Sequence, residues 1–347
     1  MIEELKNKIV SKSLELAFTA RSGVYYLESN PLFYIDQWIR FKKFQKPEQI
    51  LSEKELLGEV RGLIAEDVKS FIKYKYPLSL FNAESPLKHV KSLLQVYLDS
   101  INVAYSKKFQ KNKFFSEEAR VKMNKLPDYY TRNFHNQTDG YLSKESAEMY
   151  DHQVEILFRG TADAMRRLIL EPIVSYFQRK ESIKILEVGA GTGVSTKILS
   201  RVFQNADIKA YDLSPDYTAY AAENCSFDNT SYHTGNAEDL SGEQNETVDL
   251  WVSTFMFHEL PHEARIEVLK EAYRVLKPGG RIVIVDSIQK HDRKDFEEVM
   301  TSFPQNFHEP YYKNYTQKPL EVDIESVGFN HIESKNRFLS KVCWAVK

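Results

Sequence analysis

Ile183-Lys-Ile-Leu-Glu-Val-Gly-Ala-Gly-Thr-Gly193 decides the fold. An apolar run over 183–188 ends on glycines, and helix-forming residues follow over 195–203. That order reads as strand, tight turn, helix. Gly189, Gly191 and Gly193 remove side chains where backbone must approach a bound molecule. The amides that open the next helix point at whatever polar group sits there. Glu187 closes the strand with an acceptor placed to take hydrogen bonds from a ligand.

Working outward, apolar strands at 183–188, 208–211, 248–253 and 281–285 alternate with helices at 195–203, 215–224 and 261–276. Such alternation predicts a parallel sheet with helices on both faces, a Rossmann-like doubly wound α/β fold. Lys277-Pro-Gly-Gly280 is the turn into the strand at 281. After Asp286 a region of mixed character, 291–318, interrupts the pattern. A helix over 319–327 and a final strand pair, 330–334 and 341–346, complete it.

The first 128 residues read as helices. Leu5, Ile9 and Leu14 stand near helical spacing. Asn30-Pro31 opens an aromatic stretch with Phe33, Trp38, Phe41 and Phe44, ended by Pro47. Ser52 caps a helix carrying Leu56, Val60, Leu63, Ile64, Phe71 and Ile72. Ser85-Pro86 is a strong helix start. Val90, Leu93, Leu94, Tyr97, Leu98, Ile101 and Tyr105 then predict an amphipathic helix with one buried face. Residues 129–141 are dense in tyrosine and polar groups, as a ligand-touching loop would be. Ser143 caps a helix to about 158, and a second over 161–177 contains a disruptive Pro172. The expected organisation is therefore three parts: a helical region over 1–128 serving as lid or dimerisation surface, connecting loop and helices over 129–180, and an α/β domain over 181–347 whose lid insertion is 291–318.

At 347 residues, 42% hydrophobic and 28% charged, the chain has the composition of an ordinary soluble protein. No run of 18 apolar residues and no signal-peptide core stand in it, so no membrane span and a cytoplasmic location are expected. Two cysteines make neither a disulfide framework nor a zinc site. A net charge of −2 argues against a dedicated nucleic-acid binder. Residues 1–128 nevertheless carry 22 Lys/Arg against 16 Asp/Glu, with much of the excess in 107–125.

In a doubly wound sheet the ligand lies beyond the carboxyl ends of the strands, and an acid ending the second strand can accept from both ribose hydroxyls. Here that acid is Asp212, so a nucleoside-containing cofactor is expected. A dinucleotide fold wants Gly-x-Gly-x-x-Gly. This chain has Val194 at the third glycine. Instead, Glu187-Val-Gly-Ala-Gly-Thr-Gly193 resembles motif I of the class I S-adenosylmethionine-dependent methyltransferases. Ala210-Tyr-Asp-Leu-Ser-Pro215 resembles their ribose segment and Thr234-Gly-Asn-Ala-Glu-Asp-Leu240 their adenine segment. The stretch from Val248 to Leu260 is similar to their fourth strand and its loop, and Leu276-Lys-Pro-Gly-Gly-Arg-Ile-Val-Ile284 to the turn into the fifth. Five segments in register cover roughly 180–347. Two departures stand out. The adenine segment often carries Asp where this chain has Asn236. The residues Ser253-Thr-Phe-Met-Phe257 lack the Asp/Asn-Pro-Pro-Tyr sequence of many nucleobase and glutamine methylases.

The resemblance implies S-adenosyl-L-methionine as cofactor and transfer to a small-molecule acceptor at oxygen or carbon. It implies that Glu187 orients the cofactor through the loop. Gly189, Ala190, Gly191 and Gly193 would admit the methionyl part. Asp212 would hold the ribose, with Leu213, Asn236 and Ala237 about the adenine and Phe255 beside the methyl donor. Tyr150 would cover the sulfonium. In-line displacement from a sulfonium needs no metal, and none is expected. A general base would serve a hydroxyl or acidic carbon. His258, His135 and His308 are the candidates, with Tyr130, Gln137, Tyr141, Tyr311, Tyr312 and Tyr315 about the acceptor. His258-Glu-Leu-Pro-His262 matches a zinc-protease string, but Pro261 starts a helix and leaves His258 outside it. Two other readings stay open. One is a tRNA or protein methyltransferase guided by 107–125; the other is a non-catalytic protein that keeps the fold. A homodimer through the N-terminal helices is a further expectation.

Overall fold

The computed structural model describes residues 2–39, 52–81, 85–109 and 115–347. Phe41, Phe44 and Pro47 of the aromatic stretch lie outside these residues, as do Lys111 and Lys113 of the basic stretch.

The chain opens with helices α1 (Ile2–Ile39), α2 (Glu53–Tyr74), α3 (Pro86–Lys108), α4 (Glu117–Met123) and α5 (Lys144–Leu157). Three of their starts follow from single side chains. Ser52 makes a reciprocal capping box with Glu55, Ser85 caps Lys88 ahead of Pro86, and Ser143 caps Ser146. The aromatic stretch opened by Asn30-Pro31 continues α1, which runs through Pro31. Proline forfeits one bond to the carbonyl of Leu27, and Leu27 stands on the exposed side of the helix. The helix expected over 161–177 is instead α6 (Ala162–Arg166), a 3₁₀ turn (Arg167–Ile169) and α7 (Leu170–Val174). The tightened turn lies where Pro172 leaves the carbonyl of Leu168 without its helical donor.

The amphipathic reading of α3 needs correction. Its buried side chains are Ser92, Val96, Val103 and Ala104, whereas Leu87, Val90, Leu94, Leu98, Ile101 and Tyr105 are exposed, Leu98 by 62%. Periodicity located the apolar stripe; it could not say that the small-residue face is the one packed on α1 and α5.

Among the described residues seven strands form one sheet. They are β1 (Lys184–Val188), β2 (Asp207–Asp212), β3 (Thr230–Thr234), β4 (Val248–Thr254), β5 (Leu276–Ser287), β6 (Asn330–Arg337) and β7 (Ser340–Val346), in the order β3-β2-β1-β4-β5-β7-β6. The first five pair in parallel, and β7 is antiparallel to both its neighbours, β5 and β6. Helices α8 (Val194–Val202), α9 (Pro215–Asn224) and α10 (His262–Val275) are the crossovers. Helices α11 (Glu297–Phe307) and α12 (Tyr312–Tyr315) occupy the insertion, and α13 (Leu320–Val327) precedes β6. Leu186 and Val188 of β1 pack with α10 on one face, while Ile185 packs with α8 and with Phe71 and Tyr76 on the other. β3 escapes the sequence reading because Thr-Ser-Tyr-His-Thr lies half-buried at a sheet edge and has no apolar run to announce it.

Strand order reverses between β1 and β4, which opens a crevice beyond their carboxyl ends. The glycine turn stands there. Gly193 has φ +82°, and a Cβ on it would lie 2.9 Å from both Cys225 Cβ and Tyr232 Oη. Gly193→Ala is expected to cost about 2–4 kcal/mol, from left-handed strain plus overpacking. Urea unfolding checks this, and an unchanged midpoint would show that the turn is not this tight.

Candidate functional site

The first wall of the crevice is the turn after β1. Gly189 and Gly191 have φ of +66° and +55°. Ala190 donates its N–H to the carbonyl of Tyr211 at 3.0 Å. Gly191 donates to Asp212 Oδ2, and Ser214 to Asp212 Oδ1, each at 2.8 Å. The carboxylate that ends β2 therefore holds the turn after β1. Removal from bulk water pushes the Asp212 carboxyl up to about 6, while those backbone donors and the Glu259 charge oppose and add to it respectively. A Cβ on Gly191 would meet nothing within 4 Å, so bare backbone faces open space.

Glu187 stands behind the turn, 1% exposed. Its Oε2 accepts from Thr196 Oγ1 at 2.6 Å, and Oε1 has no hydrogen-bond partner. Burial raises its pKa to about 8. The loop reaches the cavity; Glu187 and Gly193 do not line it.

One cavity runs along this edge. Of the residues expected about a cofactor, Gly189, Ala190, Gly191, Asp212, Leu213, Asn236, Ala237, Phe255 and Tyr150 line it. Asn236 has its amide engaged with Glu238, accepting from that residue's N–H at 3.0 Å and donating to its carboxylate at 3.2 Å. Phe255 sits at φ +56°, a left-handed conformation beside the cavity. Met256 packs against Gly189, where a Cβ would lie 2.7 Å from its sulfur.

His258 also lines the cavity, from a 3₁₀ turn (Phe257–Glu259) just beyond β4. Its Nδ1 lies 2.6 Å from Asp286 Oδ1 at the end of β5. Asp286 further accepts from the N–H groups of Phe257 and Ser287, each at 2.7 Å. Burial alone would lower the His258 pKa. The carboxylates of Asp286, Glu259 and Glu309 outweigh it and raise the value to about 9. His262 opens α10 after Pro261 and turns to Asp323 at 3.5 Å, so it shares no face with His258.

His135 lines the cavity too, at φ +53° in the tyrosine-rich loop. Its Nε2 is 3.5 Å from Glu259 Oε1 and its Nδ1 is 3.3 Å from Glu309 Oε1. Tyr130 and Tyr141 line the same wall, and Tyr141 donates to Glu259 at 2.5 Å.

The remaining expected residues stand elsewhere. His308 is exposed and approaches the carbonyl of Asn133. The buried amide of Gln137 bonds Gln153 and Ser146. Tyr312 and Tyr315 lie off the cavity, their hydroxyls on Ser287 and their rings against His258 at 5.9 and 6.3 Å. Tyr311 packs on Tyr129. The insertion therefore buttresses His258 rather than exposing tyrosines to a ligand. Of the basic stretch, Lys122 is committed to Asp216 at 2.8 Å.

Sequence reasoning missed Arg166, Asp286, Glu259 and Glu309 as site residues. Arg166 lines the cavity near the glycine turn, paired with Asp163 at 3.1 Å. It reads in sequence as one helix-surface cation among many. Asp286 carried the one legible signal, since it ends a parallel strand next to β4.

Residues 185–280 match the family model for a methyltransferase domain. A ubiquinone/menaquinone biosynthesis C-methyltransferase of Agrobacterium fabrum is 34% identical over 148 residues, covering 40% of this chain and 54% of that protein. A malonyl-[acyl-carrier protein] O-methyltransferase of Priestia megaterium is 29% identical over 137 residues, covering 40% of this chain and 46% of that protein. The chain thus spans about half the length of the curated relatives it matches. Human N-acetylserotonin methyltransferase, solved with S-adenosylmethionine, aligns over 95% of this chain and 94% of its own with a TM-score of 0.51 and 14% identity. That likeness is one of fold, and it extends through the N-terminal helices. No helix among the described residues is long and apolar enough to cross a membrane.

Proposed function

We propose that this chain, whose residues 185–280 match the family model for a methyltransferase domain, is a class I S-adenosylmethionine-dependent methyltransferase that transfers the methyl group to carbon or oxygen of a small-molecule acceptor. One observation carries the reading. A single cavity is lined both by the Asp212 carboxylate on one side of the glycine turn and by the Asp286-paired His258 on the other. The sheet order β2-β1-β4-β5 fixes those sides.

The residues present fit the cofactor. Asp212 faces the cavity as a carboxylate for ribose hydroxyls, Leu213 and Ala237 offer an apolar slot for adenine, and Arg166 offers a cation for the methionyl carboxylate. Phe255, Met256 and Tyr150 wall the space between. When bound, the sulfonium supplies an already activated methyl group. The chain's own work is alignment, exclusion of water and removal of a proton. Asp286 holds His258 by Nδ1, which leaves Nε2 as the basic atom towards the cavity. With a pKa of about 9, His258 is mostly charged at neutral pH. The cofactor's positive charge opposes that and favours the neutral base once the site is filled.

A small acceptor is favoured because the far wall is closed by ring contacts among Phe134, Tyr141, Tyr150 and Tyr217, at centroid distances of 5.3–5.8 Å. The test is transfer of label from methyl-labelled cofactor to a panel of phenols and enolisable carbonyl compounds. Label in an extractable product supports the reading. Label only in tRNA or protein, with steep salt dependence, would replace it by the macromolecular one.

The exposed stripe of α3 motivates a homodimer through the N-terminal helices, since an exposed apolar helix face of this length marks an association surface. Light scattering should give twice the chain mass, and Leu94→Glu with Leu98→Glu should give the single-chain mass. A wild-type monomer at micromolar concentration ends the idea.

A further inference from the structure

Glu309 is 1% exposed, and neither of its carboxylate oxygens has a hydrogen-bond partner. His135 Nε2 is likewise buried without one. The distances explain why. His135 stands 3.3 Å from Glu309 and 3.5 Å from Glu259, contacts of ion-pair length that are not hydrogen bonds. Two carboxylates held about one imidazole in a water-poor wall are costly unless a cation joins them, either a protonated His135, whose pKa both carboxylates raise, or a metal ion. One donor atom from each of the three residues falls within 4.8 Å of the others. Glu259 faces Nε2 and Glu309 faces Nδ1, so an ion bound to one ring nitrogen is reached by the second carboxylate through a change of side-chain rotamer.

We propose that His135, Glu259 and Glu309 form a binding site for one first-row divalent metal ion at the acceptor side of the cavity. One imidazole nitrogen with two carboxylate oxygens suits Mn²⁺, Fe²⁺ or Zn²⁺ better than Mg²⁺ or Ca²⁺, which prefer oxygen throughout. The three ligands come from separate segments: the loop before α5, the turn after β4 and the insertion after α11. No local motif could have announced them. Entry is open, because His135 and Glu259 line the cavity while Glu309 lies behind the histidine. Tyr141 donates to Glu259 and fixes that carboxylate, as outer-shell donors do for metal ligands.

Three protein ligands leave positions free towards the cavity. An acceptor with a phenolate, enolate or similar oxygen can fill one, next to His258, whose Nε2 is 4.0 Å from Glu259. That consequence rests on the methyl-transfer reading; ion binding does not.

The test uses the full chain, stripped with EDTA and dialysed, without cofactor or acceptor. MnCl₂ is titrated with the free-ion EPR signal as readout, and ZnCl₂ by equilibrium dialysis. One ion per chain is expected. Glu309→Gln and His135→Gln should each weaken binding at least about tenfold. Labelled S-adenosylmethionine binding serves as the control for folding. Should a variant not fold, pulsed EPR of Mn²⁺ on the wild type decides, with coupling to one imidazole nitrogen expected. Absence of ion binding, affinity equal in both folded variants, or no nitrogen coupling in the wild type would each overturn the site. Ion binding in a chain that transfers no methyl group would sink the proposed function and leave the metal site standing.

Discussion

Asp212→Ala should weaken S-adenosylmethionine binding by about two to four orders of magnitude. A ribose hydroxyl pair bonded to a carboxylate loses two charge-assisted hydrogen bonds, each contributing about 1.5–3 kcal/mol. A second loss adds to the first. The carboxylate also accepts from Gly191 and Ser214, so its removal loosens the turn that the methionyl part must approach. Asp212→Asn keeps the shape and one acceptor and should fall between, at roughly tenfold. Because burial holds the wild-type carboxyl near 6, affinity should be full above that pH and decline below it as the acid protonates. Isothermal titration with the cofactor checks all three, and affinity unchanged by Asp212→Ala would remove the ribose assignment.

His258→Ala should lower kcat by about 10²–10⁴ and leave cofactor affinity within a few-fold, the pattern of a lost general base. Asp286→Asn should give a smaller loss with a diagnostic pH profile. In the wild type, burial lowers the His258 pKa, but the Asp286, Glu259 and Glu309 carboxylates outweigh it and bring the value to about 9. The base acts when neutral, so kcat/KM should climb with pH towards that value. Replacing Asp286 removes the strongest raising charge and shifts the limb to lower pH. The same pair affects stability with a definite sign. A histidine raised from its ordinary value of about 6.5 stabilises the fold fully below that pH, and the contribution is lost as pH rises through about 9. Unfolding midpoints of Asp286→Asn should therefore fall less steeply over that window than those of the wild type.

Legibility followed the range of the interactions. The glycine turn, the second-strand acid and the strands at 183–188 and 248–253 announce themselves within a few residues, because apolar runs and glycines act locally. β3 does not, since an edge strand buries too little for an apolar run. The face of α3 was misassigned because its 3.6-residue period identifies a stripe and not the neighbour that covers it. At the site, His258 was legible from its place after a parallel strand. Its meaning was not, because the Asp286 partner stands 28 residues on. Glu309 meets His135 across 174 residues, in a contact only the folded insertion creates. Arg166 and Glu259 fail for the same reason: charge alone does not tell a solvated side chain from one aimed into a cavity.

The most direct measurement is a crystal structure of the full chain with S-adenosylhomocysteine. Ribose hydroxyls within hydrogen-bond reach of both Asp212 oxygens are expected, with the sulfur on the side of the cavity that His258 Nε2 faces. A nucleoside seated away from Asp212, or a sulfur turned from His258 so that no acceptor fits between them, would contradict it.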